Sequence, residues 1–204
     1  MNLTEEITKD LLTIKAVQID PQNYFTWTSG IQSPIYCDNR LTMSHPNVRN
    51  KITNAFINMV NQLEVKPDVI AGCATAGIPH AAWLANELNL PMIYVRGSAK
   101  AHGKGNQIEG KLEKDQNVLV IEDLISTGGS ALNTVDAIKD SEAHVVSVFA
   151  IFTYGLNKAA KQFAESQVPF QTITSFDQLI DALLSTKDIN ESDKNGLLRW
   201  RDSL

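Results

Sequence analysis

Four short apolar runs occupy the middle of the chain: Val69-Ile70-Ala71, Met92-Ile93-Tyr94-Val95, Val118-Leu119-Val120-Ile121 and Val145-Val146-Ser147-Val148-Phe149. Turn residues bound each run, and helical apolar patterns over 78–90 and 130–140 lie between them. Strands that are apolar on both faces and alternate with helices belong to a parallel sheet covered on both sides, so the fold class is α/β. A helix over 154–166 leads to a fifth strand around 170–173, and two terminal helices follow over 176–184 and 194–200.

The residues before this core read differently. Leu3, Ile7, Leu11 and Ile14 recur at helical spacing behind Asn2 and Glu5, a capping-box pair. Residues 17–40 mix Tyr24, Phe25, Trp27 and Tyr36 with the turn residues Ser29-Gly30 and Ser33-Pro34, which predicts short strands in a small lobe. His45-Pro46 then opens a helix with Ile52, Phe56, Met59, Val60 and Leu63 on one face. The 204 residues fit one domain: a hood over 1–44, an α/β core over 45–175 and C-terminal helices over 176–204.

With 18 Lys+Arg against 23 Asp+Glu, the formal charge is -5, which disfavours a nucleic-acid partner needing clustered cations. Cys37 and Cys73 match neither a redox motif nor zinc-ligand spacing. Acids rather than bases follow Met1, and no apolar run reaches the roughly 20 residues of a membrane helix, so a cytoplasmic protein without a membrane partner is expected.

Chemistry concentrates in two places. The string Val118-Leu-Val-Ile-Glu-Asp-Leu-Ile-Ser-Thr-Gly-Gly-Ser130 is a buried strand with two acids at its carboxyl end, then a turn that opens a helix. Ligands of open α/β sheets bind at such strand ends. Gly128 and Gly129 let the backbone approach an anion, and the helix start with the Ser126, Thr127 and Ser130 hydroxyls forms a phosphate cradle. Glu122 and Asp123 suit sugar hydroxyls or a divalent metal rather than phosphate. Residues 96–110, where a helix would otherwise fall, form a long loop with Gly97, Gly103, Gly105 and Gly110. Loops longer than about 12 residues in a compact domain are commonly lids. Arg96, Lys100, Lys104 and Lys111 make this one basic.

The first string resembles the phosphoribosyl-pyrophosphate (PRPP) motif of the type I phosphoribosyltransferases. Arg96, Lys100 and His102-Gly103-Lys104-Gly105 resemble the mobile loop of the orotate-using members of that family. Residues 25–40, with Ser29-Gly30-Ile31-Gln32-Ser33-Pro34-Ile35-Tyr36, are similar to their base-binding lid, and Gly72-Cys-Ala-Thr-Ala-Gly-Ile-Pro79 to the pyrophosphate loop. The resemblance implies a type I parallel sheet flanked by helices under a small hood. It also implies transfer of the phosphoribosyl group from PRPP to orotate, Mg2+ held mainly through PRPP and water rather than by protein ligands, and a homodimer whose loops act in the neighbouring copy's site.

Carried over by position, the resemblance puts Glu122 and Asp123 on the ribose hydroxyls. Leu124, Ile125, Ser126, Thr127, Gly128, Gly129 and Ser130 lie along the 5-phosphate site, with Ser126 also near orotate, and Thr75 and Ala76 touch pyrophosphate through backbone. Arg96, Lys100 and His102 neutralise the leaving group, with His102 a candidate proton donor. The chain departs from the pattern at Gly97, Thr28 and Ala76, where some members carry basic residues, and it has no Arg in 152–155. Arg40 or hood amides then remain for orotate's carboxylate. For Arg40 a surface ion pair is an equal alternative; for Tyr36 a packed aromatic competes with a base-stacking role. His45, His80 and His144 fit cap, packing and surface positions, and Trp27, Trp83 and Trp200 fit core or dimer contacts. A phosphoribosyltransferase for another base, or a PRPP-sensing regulator without catalysis, are the competing functions.

Overall fold

The structure, a computed structural model, describes residues 2–26, 32–98 and 107–204. Among these, six strands form one sheet in the order β10-β9-β8-β5-β6-β7: β5 (Val69–Cys73), β6 (Met92–Val95), β7 (Ile108–Glu109), β8 (Asn117–Ile125), β9 (His144–Thr153) and β10 (Phe170–Ser175). All neighbouring pairs are parallel except β6 with β7, which pair antiparallel through Tyr94↔Glu109 and Val95↔Ile108. The expected all-parallel sheet is thus corrected at one edge. Two residues with a half-exposed Glu109 carry too short a pattern to read as a strand, and only pairing with β6 defines it.

The apolar runs are continuous because alternate residues serve opposite faces. Ile70, Leu119, Ile121, Phe149 and Ile151 enter one buried cluster, and Val69, Ala71, Val118, Val120, Val148 and Ala150 the other. Ser147 is buried within β9 and donates its hydroxyl to the Pro169 carbonyl at 3.1 Å, so the polar break in that run costs no unpaired group.

Helices cover both faces. On the first lie α1 (Leu3–Thr13), α2 (Pro46–Gln62), α3 (Gly77–Leu88), α6 (Phe176–Thr186) and α7 (Glu191–Asp202); on the second lie α4 (Gly129–Asp140) and α5 (Asn157–Glu165). The Asn2–Glu5 capping box forms as the sequence predicts, and α1 packs into the core through Ile7 and Leu11, with Thr8 hydrogen-bonded to Thr174 of β10 at 2.7 Å. The N-terminal helix therefore belongs to the main body; the hood proper begins after it. His45 is the N-cap of α2 but makes no side-chain cap bond.

The hood consists of β1 (Val17–Ile19) paired antiparallel with β4 (Ile35–Cys37), and β2 (Phe25–Thr26) with β3 (Gln32–Ser33). A 3-10 helix, η1 (Asn39–Ser44), joins it to α2. Val17 and Ile35 anchor the hood in the first core cluster, and the Trp200 indole donates to the Gln32 carbonyl at 3.2 Å.

Chain direction decides where a site can form. From β5 the chain moves by way of α3 to β6 on one side, whereas from β8 it moves by way of α4 to β9 and β10 on the other. The β5/β8 boundary is the topological switch point, and a crevice opens outside the carboxyl ends of these two strands. Gly77, the first residue of α3, makes that boundary possible, since a Cβ there would lie 2.3 Å from the Ile121 carbonyl oxygen. Gly77→Ala is expected to cost about 3 kcal/mol, the upper part of the overpacking range, because backbone rather than a side chain must yield. The melting temperature should fall by roughly 6–12 °C, read by differential scanning calorimetry; an unchanged value would show that α3 can slide on β8.

Candidate active site

Two loops meet at the switch point. The first leaves β5 at Cys73, passes exposed Thr75 and half-buried Ala76, and enters α3 at Gly77; the Ala74–Thr75 peptide is cis. The second leaves β8 at Ile125, passes Ser126 and Thr127, and enters α4 through Gly128. Gly128 is left-handed (φ +90°), and a Cβ there would meet the Phe163 ring at 2.9 Å. Glycine is required on both counts. No side chain caps α4 and no acid occupies its first turn. The amide end of the helix dipole is left to an outside anion, with Thr127, Gly129 and Ser130 exposed around it. Ile125 is buried in the apolar layer beneath and can offer a ligand only its backbone.

The paired acids differ in setting. Glu122 is buried; its Oε1 accepts the Asp123 amide at 3.1 Å and its Oε2 the Ser130 hydroxyl at 2.9 Å. The hydroxyl expected on phosphate is thus turned to the acid. Burial, then the charge of Asp123, pushes the Glu122 carboxyl up to about 8. Burial also raises Asp123 above the usual carboxylate range. Behind Glu122 the Cys73 thiol is pushed well up, by burial first and the Glu122 charge second.

The hood brings further residues to the same end. Arg40 grips Asp38 with Nε–Oδ1 2.6 Å and Nη2–Oδ2 2.9 Å, so the surface ion pair weighed for it is present, and Asp38 is held below its ordinary value by that bond. Tyr36 is 39% exposed with its ring centroid 6.0 Å from that of Phe25, so it is an edge aromatic rather than a core one. Arg40 and Tyr154 both feel the charge of Asp123.

Arg96 stands at the root of the basic loop. Its amide donates to the Gln107 carbonyl at 3.0 Å, its guanidinium lies 3.8 Å from Glu109, and Asn133 of α4 donates to the Gly97 carbonyl at 3.3 Å. Lys100 and His102, like Thr28 of the hood, lie outside the described residues.

Three residues at the site escaped the sequence reading. Asn39 of η1 donates from Nδ2 to the Asp123 carbonyl at 2.8 Å. Tyr154 is buried beside Cys37 and Asp123. Thr153, where some relatives of the resembled family place a cation, donates to the Ile125 carbonyl at 2.9 Å and accepts the Gly155 amide at 3.1 Å, so it braces the turn after β9. The sequence marked 152–155 only for the Arg it lacks, and Asn39 only as one position of the 25–40 segment.

A parallel sheet with paired acids and an uncapped glycine loop at its switch point is the architecture of the Phosphoribosyl transferase domain, whose family model matches residues 43–180. The chain is 55% identical over 202 residues to orotate phosphoribosyltransferase of Oceanobacillus iheyensis, covering 99% of this chain and 100% of that protein. It belongs to the orotate phosphoribosyltransferase family. Among solved structures, orotate phosphoribosyltransferase from Aeropyrum pernix superposes with TM-score 0.77 at 25% identity, covering 87% of this chain and 97% of that one. Leishmania donovani UMP synthase does so with TM-score 0.79 at 25% identity, covering 98% of this chain but 42% of that longer one.

The raised Glu122 carboxyl has a stability consequence. Its folded-state value of about 8 lies above the ordinary 4.5, so its contribution to stability is complete below about pH 4.5 and is lost as pH rises through about 8. Glu122→Gln does not titrate. Its melting temperature relative to wild type should therefore climb steadily from pH 5 to pH 8.5; parallel curves would place the Glu122 carboxyl in the normal range.

Proposed function

We propose that the protein transfers the 5-phosphoribosyl group of PRPP to orotate, giving orotidine 5'-monophosphate and pyrophosphate in pyrimidine nucleotide synthesis. The observation that carries this reading is the meeting of the 73–77 and 122–130 loops at the β5/β8 switch point, in a chain of this family. Relatives that bear the orotate phosphoribosyltransferase name support orotate as the base.

The chemistry breaks the bond from ribose C1 to the pyrophosphate oxygen and forms one from C1 to a ring nitrogen of orotate. Positive character develops on the ribose and negative charge on pyrophosphate. Donors fixed in advance where charge develops are the effective device. The α4 amino end with Ser126 and Thr127 would bind the 5-phosphate, Asp123 and Glu122 the ribose hydroxyls, and backbone at Thr75 and Ala76 the pyrophosphate. Arg96, Lys100 and His102 would neutralise the departing group, His102 placing a proton on a pyrophosphate oxygen. A loop closing over the site would keep water from hydrolysing the activated sugar. Tyr36, Arg40 and hood amides would face orotate.

Mg2+ would be carried mainly by PRPP and water, since a hard cation that keeps its waters can ride on a diphosphate with one or two carboxylates near. When bound it would neutralise phosphate charge. We further propose a cytoplasmic homodimer in which residues 96–110 act in the neighbouring copy's site. Among the described residues no helix is long and apolar enough to cross a membrane.

A base panel tests the reading. With PRPP and Mg2+, orotate should be consumed and uracil, hypoxanthine, xanthine and adenine should not; turnover of another base, or of none, sinks it. Lys100→Ala should lower kcat more than tenfold while PRPP still protects the protein from thermal unfolding. Mixing Lys100→Ala with Asp123→Asn protein should regain activity through hybrid dimers that hold one intact site; no gain would place the loop in its own subunit's site.

A further inference from the structure

A buried polar chain crosses from α3 through η1 to the acid end of β8. His80 of α3, 1% exposed, has Nε2 at 3.3 Å from the Thr42 hydroxyl. Thr42, also buried, donates that hydroxyl to the Asn39 carbonyl at 2.6 Å. Asn39, 1% exposed, donates from Nδ2 to the Asp123 carbonyl at 2.8 Å. Each direction is fixed by its neighbour. The Thr42 proton is committed to a carbonyl, so His80 must donate from Nε2, and the buried His80 Nδ1 has no hydrogen-bond partner among the described residues. Burial holds the imidazole neutral, with its value lowered to about 4. Turning the Asn39 amide over would set its oxygen against the Asp123 carbonyl, so Nδ2 faces Asp123, and the buried Oδ1 has no hydrogen-bond partner among the described residues.

These are polar side chains at buried positions that an apolar residue of the same shape could fill, so the bonds they make to one another and to Asp123 are what their polarity provides. What the arrangement secures is the Asp123 carbonyl, which lies beyond the last β5 pairing, Gly72↔Ile121, and so past the reach of strand β5.

We propose that Asn39 is a positioning residue that fixes Asp123 for the ribose, and that Thr42 and His80 hold Asn39 in place. The chain thereby ties α3, whose first turn follows the pyrophosphate loop, and η1, which carries Arg40, to the acid end of β8. The ribose acid, the pyrophosphate loop and the hood share one polar seam. The inference rests on Asp123 meeting the ribose of PRPP, as in the proposed function.

Thr42→Val keeps the shape and removes the hydroxyl; Thr42→Ser restores it. The first should raise the KM for PRPP at least fivefold with kcat changed less, and the second should return it to within twofold of wild type. Asn39→Ala, which removes the donor itself, should raise that KM at least tenfold. A purely structural role would lower the melting temperature of these variants and leave the KM of the folded protein unmoved, so a PRPP KM within twofold of wild type in folded Thr42→Val or Asn39→Ala overturns the proposal. Thermal protection by PRPP separates this from the choice of base: should wild type not use orotate, PRPP must still raise its melting temperature, and raise that of Thr42→Val less. Equal protection, or none of wild type, refutes the positioning role.

Discussion

Everything at the site depends on how closely α3 can approach β8. The strands β5 and β8 are neighbours whose helices leave to opposite faces, and the crevice between their ends exists only while the first turn of α3 lies against the Ile121 backbone. Gly77 permits that contact by lacking a Cβ, and Gly72 of β5 repeats the device against α3, where a Cβ would come 2.9 Å from the Ile78 Cα. Close backbone packing then brings the 73–77 and 122–130 loops together at one strand end. The sheet supplies rigidity and the glycines supply proximity, as precise positioning of reacting groups requires.

The same geometry creates an electrostatic problem at the strand end. Glu122 and Asp123 are adjacent, both shielded from water, and both held above the ordinary carboxylate range. Ser130, the Asp123 amide and Asn39 each donate a hydrogen bond to this pair or its backbone. Arg40, whose charge reaches Asp123, is committed to Asp38 on an exposed face, where an ion pair contributes little. Acids left short of positive partners, next to an uncapped helix start, make a site with both polarities: it can accept hydroxyls and receive an anion a few residues apart.

The sequence made the core legible because its period is unambiguous. Runs such as 118–121 are apolar at every position, which only two-sided burial explains, and the cluster membership of Val118, Leu119, Val120 and Ile121 alternates accordingly. The acid pair and glycine turn were legible for a related reason: few structural purposes need that order of residue types. What stayed hidden depends on long-range pairing. The edge strand β7 is two residues that become a strand only beside β6. Ser130 looked like a phosphate ligand because hydroxyls at helix starts commonly are, yet its side chain turns back to an acid eight positions earlier. Asn39, Thr42 and His80 are spread over three elements, and no spacing rule links residues that meet only through the fold.

The overall charge of -5 is a poor guide to a site for substrates as anionic as PRPP and orotate, because the distribution of charge decides. Charges separated by more than about a Debye length, 8–10 Å in physiological salt, scarcely act on one another. Five acids of α1, α6 and α7 are paired with cations of the scaffold, Glu6 and Asp10 with Lys51, Asp181 with Lys194, Asp177 and Asp202 with Arg201. Their charge is thereby partly offset where it stands. Arg96, Lys100 and Lys104 instead share one stretch of chain whose root is fixed beside α4 by the Asn133 contact to Gly97. At the strand ends themselves, the uncapped start of α4 offers an anion a helix dipole and free backbone amides rather than a standing cationic surface, so an acidic protein can still present an anion site.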